Sequence, residues 1–119
     1  MGNITKNFTL EEFEYSITAT NNGISNKVPS ILHNNMLNTL QVLQSARDML
    51  GIPIIISSGY RCSRLNELVH GAKNSYHIKA RAVDVVCDAS RMDDLYAILK
   101  SLPHVEIIYH FPNYIHFAV

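Results

Sequence analysis

His77, Asp84 and His116 offer two imidazoles and one carboxylate, the donor set of a three-ligand zinc site. Three protein ligands leave a fourth position open for water, as catalytic sites do, whereas structural zinc sites usually close with four, mostly cysteines. His77 and Asp84 are seven residues apart, so on one helix they would sit about 10.5 Å apart along the axis. Zinc–ligand bonds are only about 2.0–2.2 Å. The pair therefore requires a chain reversal, for which Lys79-Ala80-Arg81 is placed, with Asp84 on the strand that follows. A carboxylate among Val83, Val85 and Val86 is unfavourable unless paired or metal-bound. Spacing alone also admits a plainer reading, in which Asp84 pairs with an arginine and both histidines are ordinary core or surface residues. His33, His70 and His104 have no ligand-like surroundings, and no functional role is expected of them. Ser58-Gly59-Tyr60-Arg61 is a turn that could present one fixed cation toward the same place. Together these residues point to a small zinc peptidase.

The elements that must hold these residues can be read from periodicity and caps. Thr9 followed by Glu12 is a capping box, opening a short helix through about Tyr15. Residues 18–28 are polar and turn-rich, and read as a loop. Pro29 suits a first helical position. Leu32, Met36, Leu40, Leu43 and Leu50 recur at helical spacing, so a long core helix is expected over about 30–50, stopped by Gly51. The β-branched run 53–57 predicts a buried strand ending at Ser58-Gly59. Ser63 is expected to cap a short helix through about Val69, and 71–75 to be a loop leading into His77. Ala82–Val86 reads as a second strand, and Ser90 with Asp93 as the cap of a helix through about Leu102. Residues 105–109 and 114–118 predict a terminal hairpin around Pro112-Asn113. The expected fold class is α+β, with helices packed on a small, mostly antiparallel sheet.

Composition narrows the function further. A chain of 119 residues suits a single domain, 1–119, with one core. Hydrophobic residues at 47% and charged residues at 17% are ordinary globular values. Ten basic and ten acidic residues balance, so no nucleic-acid partner is expected. No apolar run approaches the roughly 20 residues needed to cross a bilayer, so no membrane partner is expected. The opening residues carry neither a signal-peptide core nor a myristoylation pattern, because Lys6 stands where Ser or Thr is wanted. A monomer, cytoplasmic as synthesised, is the expectation. Cys62 and Cys87 are too few for a disulfide scaffold and too far apart for a short-spaced zinc pair, so they read as buried or idle thiols.

A set of ordered segments carries a family resemblance. These are Ser58-Gly59-Tyr60-Arg61, Leu65-Asn66, Gly71-Ala72-Lys73-Asn74-Ser75-Tyr76-His77, Ala82-Val83-Asp84 and Tyr114-Ile115-His116. In this order they resemble the M15 peptidases, which include D-Ala-D-Ala carboxypeptidases and phage endolysins. The opening, Asn7-Phe8-Thr9-Leu10-Glu11-Glu12-Phe13, is similar to short M15-type proteins of small phages. The resemblance implies zinc held by His77, Asp84 and His116, and a peptidoglycan stem peptide as substrate. It leaves open whether D-Ala-D-Ala, L-Ala-D-Glu or a cross-bridge is cut. It implies that Arg61 contacts the substrate carbonyl or developing oxyanion, a role suited to a fixed guanidinium. An ion pair with Asp84 or Asp88 is the alternative for Arg61. Ser75 matches a position near bound substrate; its alternative is a simple loop hydrogen bond.

The chain departs from that pattern where the family places a glutamate as general base before the last histidine. Alignment puts His110 at that position, and Asn113, three residues before His116, is not acidic. Three readings follow: His110 is the base, Glu106 reaches the site, or His110 is a fourth ligand that closes it. A three-residue loop, Phe111-Pro112-Asn113, would put His110 and His116 on one face of the hairpin. A two-residue loop would instead put Tyr109 opposite His116, as a hydrogen-bond donor. The expectation taken forward is His110 near the zinc. Ala80 stands where the family often has glycine, which would strain a turn with positive φ. Because of the missing glutamate, a non-catalytic zinc-stabilised module that binds wall peptides or a partner protein is a second reading. A metal-free scaffold is a third.

Overall fold

Thr9 accepts a hydrogen bond from the Glu12 amide, and the Glu12 carboxylate accepts one from the Thr9 amide, closing the expected capping box. This cap opens α1, Leu10–Glu14, and buries Phe13 completely. A computed structural model describes residues 3–119. The stretch read as loop begins instead with a second short helix, α2, Ile17–Asn21. Its cause is local: the Ser16 hydroxyl accepts from the Ala19 amide, and Ala19 packs inward. Pro29 precedes a single 3-10 turn, Ser30–Leu32, which leads into α3, His33–Leu50. Met36, Leu40, Leu43 and Leu50 form its buried stripe, and Gly51 ends it with φ 79°.

The remaining strands and helices alternate up to a terminal hairpin. They are β1 Ile55–Ser58, α4 Ser63–Leu68, β2 Ala82–Val86, α5 Met92–Ser101, β3 Ile107–His110 and β4 Ile115–Ala118. Ser63 is the first residue of α4 rather than its cap. Asp88, not Ser90, caps the turn into α5, its carboxylate accepting from the Ser90 amide. The four strands form one sheet in the order β1-β2-β4-β3, with every neighbouring pair antiparallel.

β1 is an edge strand and Ile55 is 61% exposed, which corrects the expectation of a buried strand. An antiparallel edge can leave one face to water, so a β-branched run does not by itself mean burial. Val83, Val85, Ile115 and Phe117 pack with Leu40 and Leu43 of α3 and Leu95 and Leu99 of α5 in one core. Alternation along β2 and β4 then turns Asp84 and His116 to the opposite face. No described helix is long and apolar enough to cross a membrane. Cys62 and Cys87 are free thiols, each partly buried.

Candidate metal centre

Strand register assembles the site. Asp84 pairs with Ser58 of β1 on one side and with His116 of β4 on the other, and His116 pairs with Tyr109 of β3. One row across the sheet therefore reads Ser58, Asp84, His116, Tyr109. A register shift between Ile56 and Ser58 kinks the end of β1, as bulges beside functional sites commonly do. Beyond the kink, Gly59 lies so close to α1 that a Cβ would overlap the Phe13 carbonyl oxygen. The Tyr60 amide bonds that same oxygen at 2.8 Å.

His77 reaches the row from a 3-10 turn, Tyr76–Lys79. The chain reverses just after it, as expected, and Ala80 takes the left-handed conformation with φ 57°. For a residue with a Cβ that conformation costs about 1–2 kcal/mol. The buried Thr39 hydroxyl secures the turn by donating to the Ala80 carbonyl at 2.9 Å. His77 Nδ1 lies 2.7 Å from the Gly59 carbonyl oxygen. A carbonyl only accepts, so Nδ1 carries the proton and Nε2 is left to face Asp84 Oδ1 at 3.3 Å. His116 Nδ1 lies 2.8 Å from the same oxygen. One donor atom from each of the three residues lies within 4.8 Å of the others.

These separations bracket the edge of a tetrahedron with bonds of about 2.1 Å, roughly 3.4 Å, so the donor set fits a zinc ion. The carbonyl partner on His77 Nδ1 is the kind of outer contact that fixes a ligating imidazole. Burial alone would raise the Asp84 carboxyl. Hydrogen bonds from His116 and His77, with the charge those rings can carry, outweigh it and hold the group at about 2. Asp84 is therefore an anion at neutral pH.

Arg61 faces this group. Its Nη2 lies 3.7 Å from Asp84 Oδ2, Nε donates to Ser58 Oγ at 3.4 Å, and Nη1 donates to Asn66 Oδ1 at 3.2 Å. Burial lowers its pKa, while the charges of Asp84 and Tyr114 act the other way. Arg61, Ser75, His77, Asp84 and His116 all line one cleft of about 330 Å3. The Ser75 hydroxyl accepts from the His77 amide at 3.1 Å, so the loop hydrogen bond is made, on a residue that also lines the cleft. Tyr109, Phe111 and Tyr114 form the other wall. Tyr109 stacks on His116 with ring centroids 6.0 Å apart, and Phe111 stacks on Tyr114 at 4.8 Å.

His110 is not in this cleft, which corrects the expectation. The Phe111 amide bonds the Tyr114 carbonyl, so the hairpin closes with the two-residue loop Pro112-Asn113. That register places Tyr109 opposite His116 and turns His110 toward α5. There His110 Nε2 lies 3.1 Å from Asp93 Oδ1, and the ring lies 5.2 Å from that of Tyr96. His110 is thus positioned neither as base nor as fourth ligand. Glu106 is also elsewhere, paired with Arg81 at 3.1 Å. It lines a separate cavity of about 420 Å3 with Asn35, His104 and Val119, larger than the cleft but remote from the three donors. The structure adds two contributors that sequence left without a role, the Gly59 carbonyl and the Asn66 amide. Both act through tertiary contacts that no local pattern signals, although both lie inside the quoted segments.

No curated protein matches the sequence. The family model for Peptidase M15 matches residues 6–118, nearly the whole chain and every residue of the cleft. On that match the chain belongs to the Peptidase M15 family, a family of peptidases.

Proposed function

We propose that this protein is a zinc-dependent peptidase that hydrolyses stem peptides of bacterial peptidoglycan. The observation that carries the reading is the convergence of His77, Asp84 and His116 beneath a cleft that also presents Arg61. Zinc at that position would supply Lewis acidity, polarising a carbonyl and acidifying water. The chain's own residues do the rest. Gly59 holds His77 in the tautomer that leaves Nε2 available. Arg61, restrained by Ser58 and Asn66, directs a guanidinium at the developing oxyanion. The groove between Ser75 and the hairpin aromatics holds an extended peptide across the row. Phenols of Tyr109 and Tyr114 are the hydrogen-bond donors on the hairpin wall. They suit a hydrogen bond to the leaving nitrogen. A lytic role of the phage kind is supported by the resemblance to phage endolysins and by the likeness of residues 7–13 to short phage proteins.

One observation favours a second reading. Apart from Asp84, no carboxylate lines the cleft among the described residues, and its only imidazoles belong to His77 and His116. A module that binds wall peptides without cutting them would need no base. Mass spectrometry of purified muropeptides incubated with zinc-loaded protein, with and without chelator, separates the two. A new product that chelator abolishes is expected, and its mass names the bond. Intact muropeptides across several wall chemistries would overturn the peptidase reading and leave the binding module.

A further inference from the structure

Asn66 is a buried amide, 3% exposed, on α4. Both ends of its side chain are engaged. Oδ1 accepts from Arg61 Nη1 at 3.2 Å, and Nδ2 donates to the Ala72 carbonyl at 2.9 Å. Its own carbonyl accepts from the Gly71 amide at 2.8 Å. One residue thus joins the arginine of the cleft to the start of the loop that carries Ser75 and His77. There is no slack at the junction: a Cβ on Gly71 would overlap Asn66 Oδ1 and come within 2.8 Å of Arg61 Nη1. Position 71 must lack a side chain for the amide and the guanidinium to meet.

The chemistry of the acceptor matters as much as its place. A carboxylate at position 66 would compete with the cleft for the same cation. A neutral amide fixes the direction of the guanidinium without adding a second counter-charge to that of Asp84. Ser58 does the same at Nε with a hydroxyl. Nη2 is left as the nitrogen nearest the donor cluster, 3.7 Å from Asp84. A side chain restrained in this way loses its rotamer freedom during folding rather than during reaction.

We propose that Asn66 is the positioning residue that aims Arg61 into the cleft and ties that aim to the loop bearing Ser75 and His77. The effect on turnover rests on the peptidase reading given above; the aiming itself does not. Asn66 forms no hydrogen bond with His77, Asp84 or His116 among the described residues, so metal content should persist without it.

The test uses the full chain and two independent variants, Asn66→Ala and Gly71→Ala. Gly71→Ala displaces the pair without removing either polar group. Each is made alone and with Arg61→Ala. Turnover of muropeptides by zinc-loaded protein should fall roughly tenfold in kcat for either variant, with KM little changed. In the Arg61→Ala background neither should cause a further loss. A second readout needs no turnover: the 15N–1H signal of Arg61 Nε in chelator-treated protein, assigned by its absence in Arg61→Ala. It should move and exchange faster with water in both variants. Equal losses with and without Arg61, or an Nε signal unchanged in the variants, would overturn the proposal. Wild-type protein without turnover would sink the peptidase reading, and the Nε signal alone would then decide the aim of Arg61.

Discussion

A histidine that gives one ring nitrogen to a carbonyl has only the other left for a metal. His77 is in that state, with Nδ1 on Gly59 and Nε2 on Asp84 Oδ1. Among the described residues His116 has no such carbonyl partner; it uses Nδ1 on the same oxygen and stacks on Tyr109. His116→Ala removes one of three protein donors. It should weaken zinc retention by more than about a hundredfold, since loss of an outer partner alone costs 10–100-fold. Metal analysis after desalting checks this, and full occupancy in the variant would remove His116 from the site. Asp84 carries a pH dependence of fixed sign. Its carboxyl is lowered from 3.8 to about 2 in the folded state. A lowered pKa stabilises the fold above the unfolded value and loses that contribution as pH falls from about 4 through 2. The full contribution is about 2 kcal/mol. Urea unfolding of chelator-treated protein at pH 5, 3 and 2 should show it. Asp84→Asn should remove this part of the acid dependence; identical acid profiles would mean that Asp84 does not carry it.

Elements decide which side chains those residues meet, and the β3–β4 hairpin shows how finely. Pro112-Asn113 and Phe111-Pro112-Asn113 are equally readable as loops, yet the two differ by one residue of register. A one-residue slip exchanges the faces of a strand, so the same sequence offers either His110 or Tyr109 to the cleft. The structure offers Tyr109. His110→Ala should therefore leave zinc content unchanged and turnover within about twofold of wild type, whereas Tyr109→Ala should reduce turnover. A large loss in His110→Ala would mean that the hairpin takes the other register in solution. Other elements were more legible because a local signal specified them. The Val-rich Ala82–Val86 run, the box at Thr9 and Glu12, and the Gly51 stop all formed where expected. The reversal that lets His77 and Asp84 meet was also legible, because seven residues of helix would have kept them apart. α2 was not, since a serine cap and one buried alanine outweigh a polar composition. Arg61 was recognisable from its motif, but the amide that holds it was not, because Asn66 acts only once α4 and the 71–75 loop are packed together.

At the scale of the whole molecule the two faces of the sheet are unequal. One is packed by α3 and α5 around Leu40, Leu43, Leu95, Leu99 and Phe117. The other carries the polar row, which His77 joins from the chain between Gly59 and Arg81, whose only regular pieces are α4 and a 3-10 turn. In that segment the buried apolar residues are Tyr60, Leu65 and Ala80, and Ala80 adds backbone strain. A metal held by His77, Asp84 and His116 would cross-link the turn to β2 and β4, tying a segment with few buried apolar side chains to the centre of the sheet. Ligand binding to the folded state alone stabilises by about 4 kcal/mol at a thousandfold excess over Kd. For a domain of this size that corresponds to a fall in Tm on the order of 10 °C when the metal is withdrawn. The loss should not be uniform. Hydrogen exchange after chelation should speed first at amides of 71–81 and of the hairpin, while α3 and α5 keep their protection, because local opening follows local contact density. A Tm and an exchange pattern indifferent to chelator would return the protein to a metal-free scaffold. Uniform loss across both faces would instead mean that the site and the helical core unfold as one unit.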